Sequence, residues 1–432
     1  MSESSRIVPL NPPADPVQAE AHDPEAGESQ TQEKCLPKTK RCCCSNVAVP
    51  TWALFLALSV VIIVAVHAII LSLFTPKEIS SYTPTISVLS VESWHQQGSF
   101  GDTKFKQSKL KLTAPEDIQD ESLRNTLSSL GPESPTEDLK KLDNFIKENQ
   151  IDVVTFAMAE SKIGPMLELR AKGWPLSVPM TSQGMSSKAD LVRLVDKDSF
   201  QQTLKETGLE QYTIPSYSAP DLVNCKELPT TDKPEPVTDR CVINEATKEA
   251  IEYPLIVKPA SARGGTHRGH LYKKVDNAEE LREFFNTPAK ESSNDVFTFL
   301  SPSEFTIQEF VKSKYEDSFH FVYSEEHGGF LHMKITRDRY GSEDAVAHHA
   351  PLRIRTTLER KYVPQELIEN FGKLLRAVHY RGIGCFDLKY KNSDLSKPMV
   401  MEMNPRVCGS QPYFNDYGAW FRTWTQLHLI KA

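Results

Sequence analysis

The sequence predicts an α/β protein whose folded part is preceded by one transmembrane helix. Three observations support this fold class. Strands and helices alternate between residues 83 and 190, a pattern typical of a parallel sheet. They alternate again from residue 253 to the end of the chain. Ahead of both regions, residues 52–74 carry no formal charge, and this run is longer than the roughly 20 residues that cross a hydrocarbon core.

The composition and charge disfavour one class of function, nucleic-acid binding. Of the 432 residues, 39% are hydrophobic, which is ordinary for a globular protein. The formal net charge is −7 and the isoelectric point is near 6.0. Because a nucleic-acid-binding protein usually carries a basic surface, no nucleic-acid partner is expected.

The chain begins with two segments of distinct composition. Residues 1–48 are rich in Pro, Glu and Ser and poor in large apolar residues, so we expect a disordered tail of the cytosolic type. Residues 51–75 are expected to cross the lipid bilayer once. A cleaved signal peptide is the alternative, but it would begin near residue 1 and have an apolar core of only about 7–15 residues.

Two questions about this membrane segment stay open. The triple cysteine at 42–44 is either S-acylated or present as unmodified thiols. Lys38, Lys40 and Arg41 precede the apolar run, which favours a cytosolic tail and a folded part outside the cytosol. The chain has no Asn-x-Ser/Thr sequon, which favours the opposite orientation.

Local signals predict the elements of the first folded region. Residues 86–91 and 151–156 are expected strands, and residues 134–137 have the pattern of a capping box that opens a helix between them. The inward face of that helix is expected to carry Leu139, Leu142, Phe145 and Ile146. Residues 95–132 show no clear period and are expected to form a loop-rich insertion.

Later elements follow from the same signals. Asp198 is expected to cap a helix that ends at Gly208. Residues 218–250 accumulate proline and threonine and are expected to form a loop outside the core. A long helix is expected over residues 364–381, with Gly382 as its stop and Leu367, Phe371, Leu374 and Val378 facing inward.

A strand followed by a glycine-bearing loop suggests anion binding. Residues 253–259 are an expected buried strand containing Lys258, and Gly264, Gly265 and Thr266 follow in the loop. A lysine beside approachable backbone N–H groups suits a polyphosphate. Because this lysine precedes the glycines, the loop does not match GxxxxGK[ST], which disfavours a P-loop enzyme. A glycine-rich surface hairpin is the competing interpretation.

Two expected strands near the C-terminus carry hard oxygen ligands. Residues 384–389 and 399–406 have the pattern of a hairpin in which the period of two puts Glu402 and Asn404 on one face, with Asp387 opposite. Two carboxylates and an amide oxygen suit magnesium. Arg406 follows, and a guanidinium pairs well with a phosphoryl group or a carboxylate. A solvated hairpin fits poorly, because apolar residues flank these groups.

Residues 306–311 lie between these two motifs and are an expected strand. The strand ends in hydrogen-bonding groups that suit the edge of an adenine ring. Taken alone, an edge strand with solvated carboxylates is the commoner explanation. In this order, however, the three motifs resemble those of the ATP-grasp superfamily, especially its branch near the carbamoyl-phosphate synthase large subunit. Residues 195–200 also resemble the segment with that family's first nucleotide-contacting lysine, here Lys197. The resemblance covers about residues 85–432.

The resemblance implies a fold and a domain organisation. A pre-ATP-grasp α/β domain would span 83–190 and a two-lobed α+β ATP-grasp domain 191–432. The nucleotide-clamping lobe would span 258–312, and the metal and substrate lobe 313–432.

It also implies ligands and roles for individual residues. ATP and Mg²⁺ (or Mn²⁺) would be bound. The implied nucleotide contacts are Lys197, Lys258, Gly264, Gly265, Thr266, Gln308, Glu309, Val311 and, at the ribose, Glu316. The implied metal ligands are Asp387, Glu402 and Asn404, and the implied catalytic residues are Arg406 and Lys258.

The implied activity is an ATP-dependent ligation, in which a carboxylate forms an acyl-phosphate and is then joined to an amine or amino acid. The partners would be small-molecule carboxylates and amines, and a homodimer is compatible with the sequence. A membrane-tethered ATP-binding regulatory module without turnover is the alternative outside the enzymes. A phosphoryl transferase or a carbamoyl-phosphate-forming enzyme is the alternative within them.

Three other groups of residues are interpreted as structural. The histidine pair at 348–349 has no carboxylate or cysteine at ligand spacing, so zinc is not expected. Arg353 and Arg355 lie in an alternating strand and are expected on a solvated face. Cys385 and Cys408 are expected to be reduced, buried thiols.

Overall fold

The structure is a computed structural model that describes residues 84–92, 104–156, 160–181, 187–226, 239–245, 251–260, 272–290, 297–346 and 353–429. All of them belong to one compact unit, Phe74–Ala432. The predicted tail, the predicted membrane segment and the loop with Gly264, Gly265 and Thr266 lie outside these ranges, as does the histidine pair at 348–349. Among the described residues, no helix is both long and apolar enough to span a membrane.

The first region contains a three-stranded parallel sheet, as predicted. Strand β1 (Ile86–Ser90) lies between β2 (Leu110–Thr113) and β3 (Val153–Thr155). Helices cover the sequence between and after these strands. Their bounds are Glu121–Ser128, Thr136–Glu148, Glu160–Ala171, Lys188–Val195 and Lys197–Glu206.

Two predictions for this region are wrong. Residues 95–132 are not a loop-rich insertion, because β2 and the helix Glu121–Ser128 lie within them. Both elements are too short to show a clear period in the sequence. The capping box is also absent: Pro135 takes the N-cap position of the next helix, and the Ser134 hydroxyl instead accepts a hydrogen bond from Gly131 N–H at 3.0 Å. The predicted inner face is confirmed, with Leu139, Leu142 and Ile146 buried and Phe145 packed against the same core.

The helix Lys197–Glu206 begins two residues earlier than predicted. Asp196, and not Asp198, is its N-cap, since the Asp196 carboxylate accepts the Ser199 N–H at 2.9 Å. Two aspartates, separated by one residue, both fit the capping signal, so the sequence alone does not distinguish between them. Gly208 has φ of 68°, in agreement with its predicted place just past the helix end.

A four-stranded antiparallel sheet forms the next part of the fold. Its order is β4 (Ser216–Ser218), β11 (Phe305–Glu309), β7 (Leu255–Pro259) and β8 (Lys273–Val275). The helix Ala278–Asn286 packs against it through Leu281, Phe284 and Phe285. A two-stranded ribbon, β9 (Ala289–Lys290) with β10 (Phe297–Thr298), follows that helix.

The prediction that residues 218–250 lie outside the core is wrong. The helix Ala219–Leu222 and the hairpin of β5 (Val223–Cys225) and β6 (Cys241–Ile243) belong to this part of the chain. Ala219, Leu222, Val223 and Cys241 are buried in the core of the four-stranded sheet. A disulfide joins Cys225 to Cys241, and this long-range link has no signature in the local composition.

A five-stranded antiparallel sheet forms the last part. Its order is β14 (Arg353–Glu359), β13 (Gly329–Tyr340), β12 (Tyr315–Ser324), β15 (Arg381–Tyr390) and β16 (Pro398–Asn404). One face packs on the helix Gln365–Ala377, where the Phe371 and Phe386 ring centroids lie 4.2 Å apart. The helix Tyr417–Leu429 closes the chain. The opposite face of the sheet is apolar at Val322 and Ile383, which pack with that helix, and polar at Ser318, Asp387 and Glu402; this second part is the polar face of the sheet.

The end of the helix Gln365–Ala377 differs from the prediction. The helix stops at Ala377, with Val378 as its C-cap, and the predicted stop Gly382 lies inside β15. The chain turns at His379, which has φ of 50°. The four residues predicted to face inward, Leu367, Phe371, Leu374 and Val378, are all buried.

Candidate functional site

The three predicted metal ligands come together on the polar face of the five-stranded sheet. Asp387 lies directly opposite Glu402 in the β15–β16 register. Asn404 Nδ2 donates hydrogen bonds to Asp387 Oδ2 at 2.9 Å and to Glu402 Oε1 at 3.4 Å. Carboxylate and amide oxygens are the ligand types that Mg²⁺ prefers. Here the amide nitrogen of Asn404 faces the two carboxylates, and its oxygen faces Arg406.

A β-bulge at Met401 gives Glu402 its direction. Asp387 pairs with Glu402, whereas Leu388 pairs with Val400, so Met401 is an extra residue in β16. Without it, the period of two would put Val400 and Glu402 on the same face. The bulge lets Val400 enter the core, where it is 0% exposed, while Glu402 stays on the polar face.

Cationic side chains surround these ligands. Lys197 Nζ lies 3.4 Å from Glu402 Oε2. Arg406 Nη2 donates a hydrogen bond to Asn404 Oδ1 at 3.0 Å. Lys258 is buried on β7, in the neighbouring sheet. The predicted phosphate-binding cations and the predicted metal ligands therefore belong to one site.

Burial and charge shift the pKa values at this site in opposite directions. Burial, and then repulsion by Glu402, raises the pKa of Asp387. Burial acts to raise the pKa of Glu402 as well, but Lys197, Lys258 and Arg406 outweigh it and lower that pKa below its usual range. Two carboxylates held this close, one of them resisting ionisation, form a site that favours a cation.

Lys258 is the cation most affected by its surroundings. Burial, and then repulsion by Lys197, lowers the pKa of Lys258 to about 7. An anion bound beside it would favour the protonated form. The group is therefore suited to respond to a phosphate, because its charge is stabilised most when the anion is present.

Two residues at the site were not predicted to belong to it. Ser318 Oγ on β12 donates a hydrogen bond to Asp387 Oδ1 at 2.6 Å. Asp198, beside Lys197, accepts a hydrogen bond from the Thr306 hydroxyl, and burial raises its pKa. The Asp-Lys-Asp run at 196–198 was a signal for the second. No sequence signal pointed to Ser318, because its contact with Asp387 depends on the register of two strands.

The predicted adenine-binding residues lie at the end of β11. Glu309 and Val311 line a cavity of about 120 Å³, together with Pro215, Glu252, Tyr253, Pro254, Phe310, Lys312, Lys391, Asn392 and Met399. Gln308 faces the interior instead. Its Nε2 donates to Ser216 Oγ at 2.8 Å, and its Oε1 has no hydrogen-bond partner within the described residues.

Glu316 lies on the large sheet and not among the residues that line this cavity. It is opposite Lys389 and Asp338 in register, and burial raises its pKa to about 7. Its predicted contact with a ribose stays a prediction. Lys389, which the sequence did not single out, donates a hydrogen bond to Ala345 O at 3.0 Å.

Of the side chains interpreted as structural, the two cysteines need correction. Cys385 and Cys408 are joined in a disulfide and are not reduced thiols. The sequence could not indicate this pairing, because it depends on where the chain goes after β16. Arg355 is exposed, in agreement with the prediction, and its guanidinium also binds both carboxylate oxygens of Asp338, each at 2.7 Å.

Part of the chain is similar to a known protein family. Residues 221–415 match the family model described as "Carbamoyl-phosphate synthase L chain, ATP binding domain". No curated protein sequence matches the chain. Solved structures similar to it include N5-carboxyaminoimidazole synthetase from Staphylococcus aureus, with 15% identity, a TM-score of 0.44, and coverage of 81% of this chain and 78% of that one.

Two further solved structures are similar at the same level. The L-amino acid ligase from Bacillus licheniformis has 14% identity and a TM-score of 0.47, over 80% of this chain and 75% of that one. The D-alanine–D-alanine ligase from Bacillus anthracis has 16% identity and a TM-score of 0.47, over 80% of this chain and 98% of that one.

The family match includes the motifs from Lys258 to Arg406, while Lys197 lies ahead of it. The matched family is the branch that the motifs themselves resemble. The match therefore supports the predicted relationship: residues 221–415 are similar to the ATP-binding domain of carbamoyl-phosphate synthase, within the ATP-grasp superfamily.

Proposed function

We propose that this protein is an ATP- and Mg²⁺-dependent ligase that activates a carboxylate as an acyl-phosphate and joins it to an amine. One observation carries the proposal. Asp387, Glu402 and Asn404 form a single hydrogen-bonded cluster with cations on its border. Phosphoryl transfer requires this combination, because it depends on positioning and charge neutralisation more than on a protein nucleophile.

The donor set fits a hard divalent cation. Asp387, Glu402 and the amide oxygen of Asn404 would hold Mg²⁺ or Mn²⁺, and Ser318 would orient Asp387. Burial, and then repulsion by Glu402, raises the pKa of Asp387, and a bound cation would favour its ionised form. When bound, the ion would neutralise charge on the phosphates and help align them.

The nucleotide would extend from the cavity at the end of β11 to the metal ligands. Glu309 and Val311 border the cavity that would take the adenine. Lys197 and Lys258 would contact the phosphates, and Gly264, Gly265 and Thr266, which follow β7 in the sequence, would contribute backbone N–H groups.

The chemistry has two steps. A carboxylate oxygen of the acid attacks the γ-phosphorus of ATP, a P–O bond forms, and ADP leaves. The amine nitrogen then attacks the acyl carbon, the C–O bond to phosphate breaks, and the amine loses a proton as the amide forms. Arg406 would neutralise charge on the transferred phosphoryl group. No side-chain nucleophile is required.

The same proposal includes a single-pass membrane anchor at residues 51–75, with the catalytic unit in an oxidising compartment. The charge-free run supports the anchor. The orientation is supported by the cysteines of the described residues, all four of which form disulfides. Thiol labelling of the denatured chain, taken directly from cells, tests the orientation: these four residues should react only after reduction.

Activity of the full-length chain, purified in detergent, tests the ligase directly. ADP and phosphate release would be measured with Mg²⁺-ATP and pools of carboxylic acids and amines. We expect release that depends on an acid and an amine, that is lost in Glu402→Ala and that persists in Glu279→Gln, a surface carboxylate whose side chain is 71% exposed. Tight ATP binding without turnover in any pool would instead identify a regulatory module.

A further inference from the structure

A disulfide lies beside the proposed metal ligands. Cys385 of β15 is opposite Asn404 of β16 and two residues before Asp387. Its partner Cys408 is two residues past Arg406. The bond therefore joins the strand that carries one metal ligand to the segment that carries the proposed anion-binding arginine.

The segment after β16 is held by alternate residues. Because β16 ends at Asn404, no strand ladder fixes the chain beyond that residue. Contacts of three alternate residues connect this segment to the sheet instead: Arg406 with Asn404, Cys408 with Cys385, and Ser410 with His320. Arg406 thus lies between the end of β16 and a covalent cross-link.

The cross-link is enclosed. Cys385 is 1% exposed and Cys408 is 6% exposed. His320, opposite Cys385 in register, is 0% exposed, and its ring lies edge-on to that of Phe414 with centroids 5.2 Å apart. Reaching the bond requires a local opening of the segment, so the disulfide is suited to a lasting role in positioning.

We infer that the Cys385–Cys408 disulfide is a positioning element of the metal and phosphate site. The inference rests on the proposed function. Without the bond, the segment that carries Arg406 loses its covalent link to β15, and Arg406 is the hydrogen-bond donor to the amide oxygen of the metal ligand Asn404. Loss of groups that orient metal ligands typically lowers metal affinity by about 10–100-fold.

The second disulfide provides a matched control. Cys225–Cys241 closes the β5–β6 hairpin, and within the described part of the chain Cys241 bonds to Asn286 and Phe285 and not to the metal ligands. The two bonds span similar separations, 16 and 23 residues, so their removal should lower stability by similar amounts. Removal of the Cys385–Cys408 bond, and not of the Cys225–Cys241 bond, is expected to weaken metal binding.

The test compares the double variants Cys385→Ala/Cys408→Ala and Cys225→Ala/Cys241→Ala in the full-length chain in detergent. Calorimetric titration with Mn²⁺-ATP gives the affinity, and thermal unfolding gives the stability. We expect both variants to lose stability, and the first alone to bind Mn²⁺-ATP at least about tenfold more weakly than the unaltered chain. Equal affinity in the two variants overturns the inference.

A second measurement tests the inference if the Cys385→Ala/Cys408→Ala variant does not fold. In the Cys225→Ala/Cys241→Ala chain, dithiothreitol reduces the Cys385–Cys408 disulfide to two thiols. The reagent supplies the two electrons and two protons and becomes a cyclic disulfide. Affinity for Mn²⁺-ATP should fall by the same factor and return on reoxidation, with the circular dichroism spectrum unchanged. Unchanged affinity in the reduced chain refutes the positioning role.

The binding readout separates this inference from the proposed ligase activity. A chain that binds Mn²⁺-ATP but forms no ADP with any acid and amine contradicts the ligase and still decides the role of the disulfide. A chain that does not bind Mn²⁺-ATP overturns both.

Discussion

Replacing Ser318 by alanine is expected to weaken metal binding without disturbing the fold. Ser318 Oγ donates to Asp387 Oδ1 at 2.6 Å, and Asn404 Nδ2 donates to the other carboxylate oxygen at 2.9 Å. These two donors fix the plane of the carboxylate. Removing one leaves Asp387 free to rotate away from the geometry that the ion requires.

The magnitude follows from the kind of hydrogen bond that is lost. A hydrogen bond to a charged group contributes about 1.5–3 kcal/mol. At about 1.4 kcal/mol for each factor of ten, this range corresponds to an affinity roughly 10–100-fold lower. The Ser318→Ala substitution removes only a hydroxyl, so the core should not be affected.

Mn²⁺ titration of the full-length chain in the presence of ATP measures this effect. Ser324→Ala is the control on the same strand, because Ser324 is buried and its hydroxyl lies 2.9 Å from His327 Nδ1, outside the site, whereas Ser318 is half-buried. The reasoning is refuted if Ser318→Ala binds the ion as tightly as Ser324→Ala does.

Three other perturbations have defined outcomes. Phe371→Ala should destabilise the fold by about 3–5 kcal/mol in urea unfolding, because the ring is 0% exposed and packs on Phe386; a loss below 1 kcal/mol would contradict the core assignment. Burial lowers the pKa of His320 to about 3, so the unfolded chain takes up a proton below pH 6.5 that the folded chain refuses. Stability should therefore fall by about 2 kcal/mol more between pH 7 and pH 5 than it does in His320→Asn, and equal slopes would exclude a buried neutral imidazole. Lys258→Met should weaken ATP binding by about tenfold or more in calorimetry, since a charge-assisted contact is removed; unchanged affinity would argue against Lys258 as a phosphate ligand.

Features encoded by short, local patterns were predicted well. The parallel sheet, the inner faces of the helices Thr136–Glu148 and Gln365–Ala377, and the hairpin of β15 and β16 all follow from periods of 3.6 or 2. Helix ends were predicted less well. The choice between Asp196 and Asp198 depended on one hydrogen bond that either carboxylate could have made.

The sequence alone determined which residue types the site contains and their order along the chain. Asp387, Glu402 and Asn404 lie on two adjacent strands, so a period of two and a short connection were sufficient to predict that they meet. Lys258 was a candidate from its own strand and glycine-bearing loop, whereas Lys197 could be identified only through a resemblance of motifs.

Only the tertiary structure decided what surrounds these ligands. Ser318 reaches Asp387 through the β12–β15 register, the bulge at Met401 turns Glu402 to the polar face, and the path after β16 brings Cys408 to Cys385. The physical reason is the same in each case. Register, bulges and cross-links are set by which long-range pairing gives the best-packed core, and no local window of sequence contains both partners.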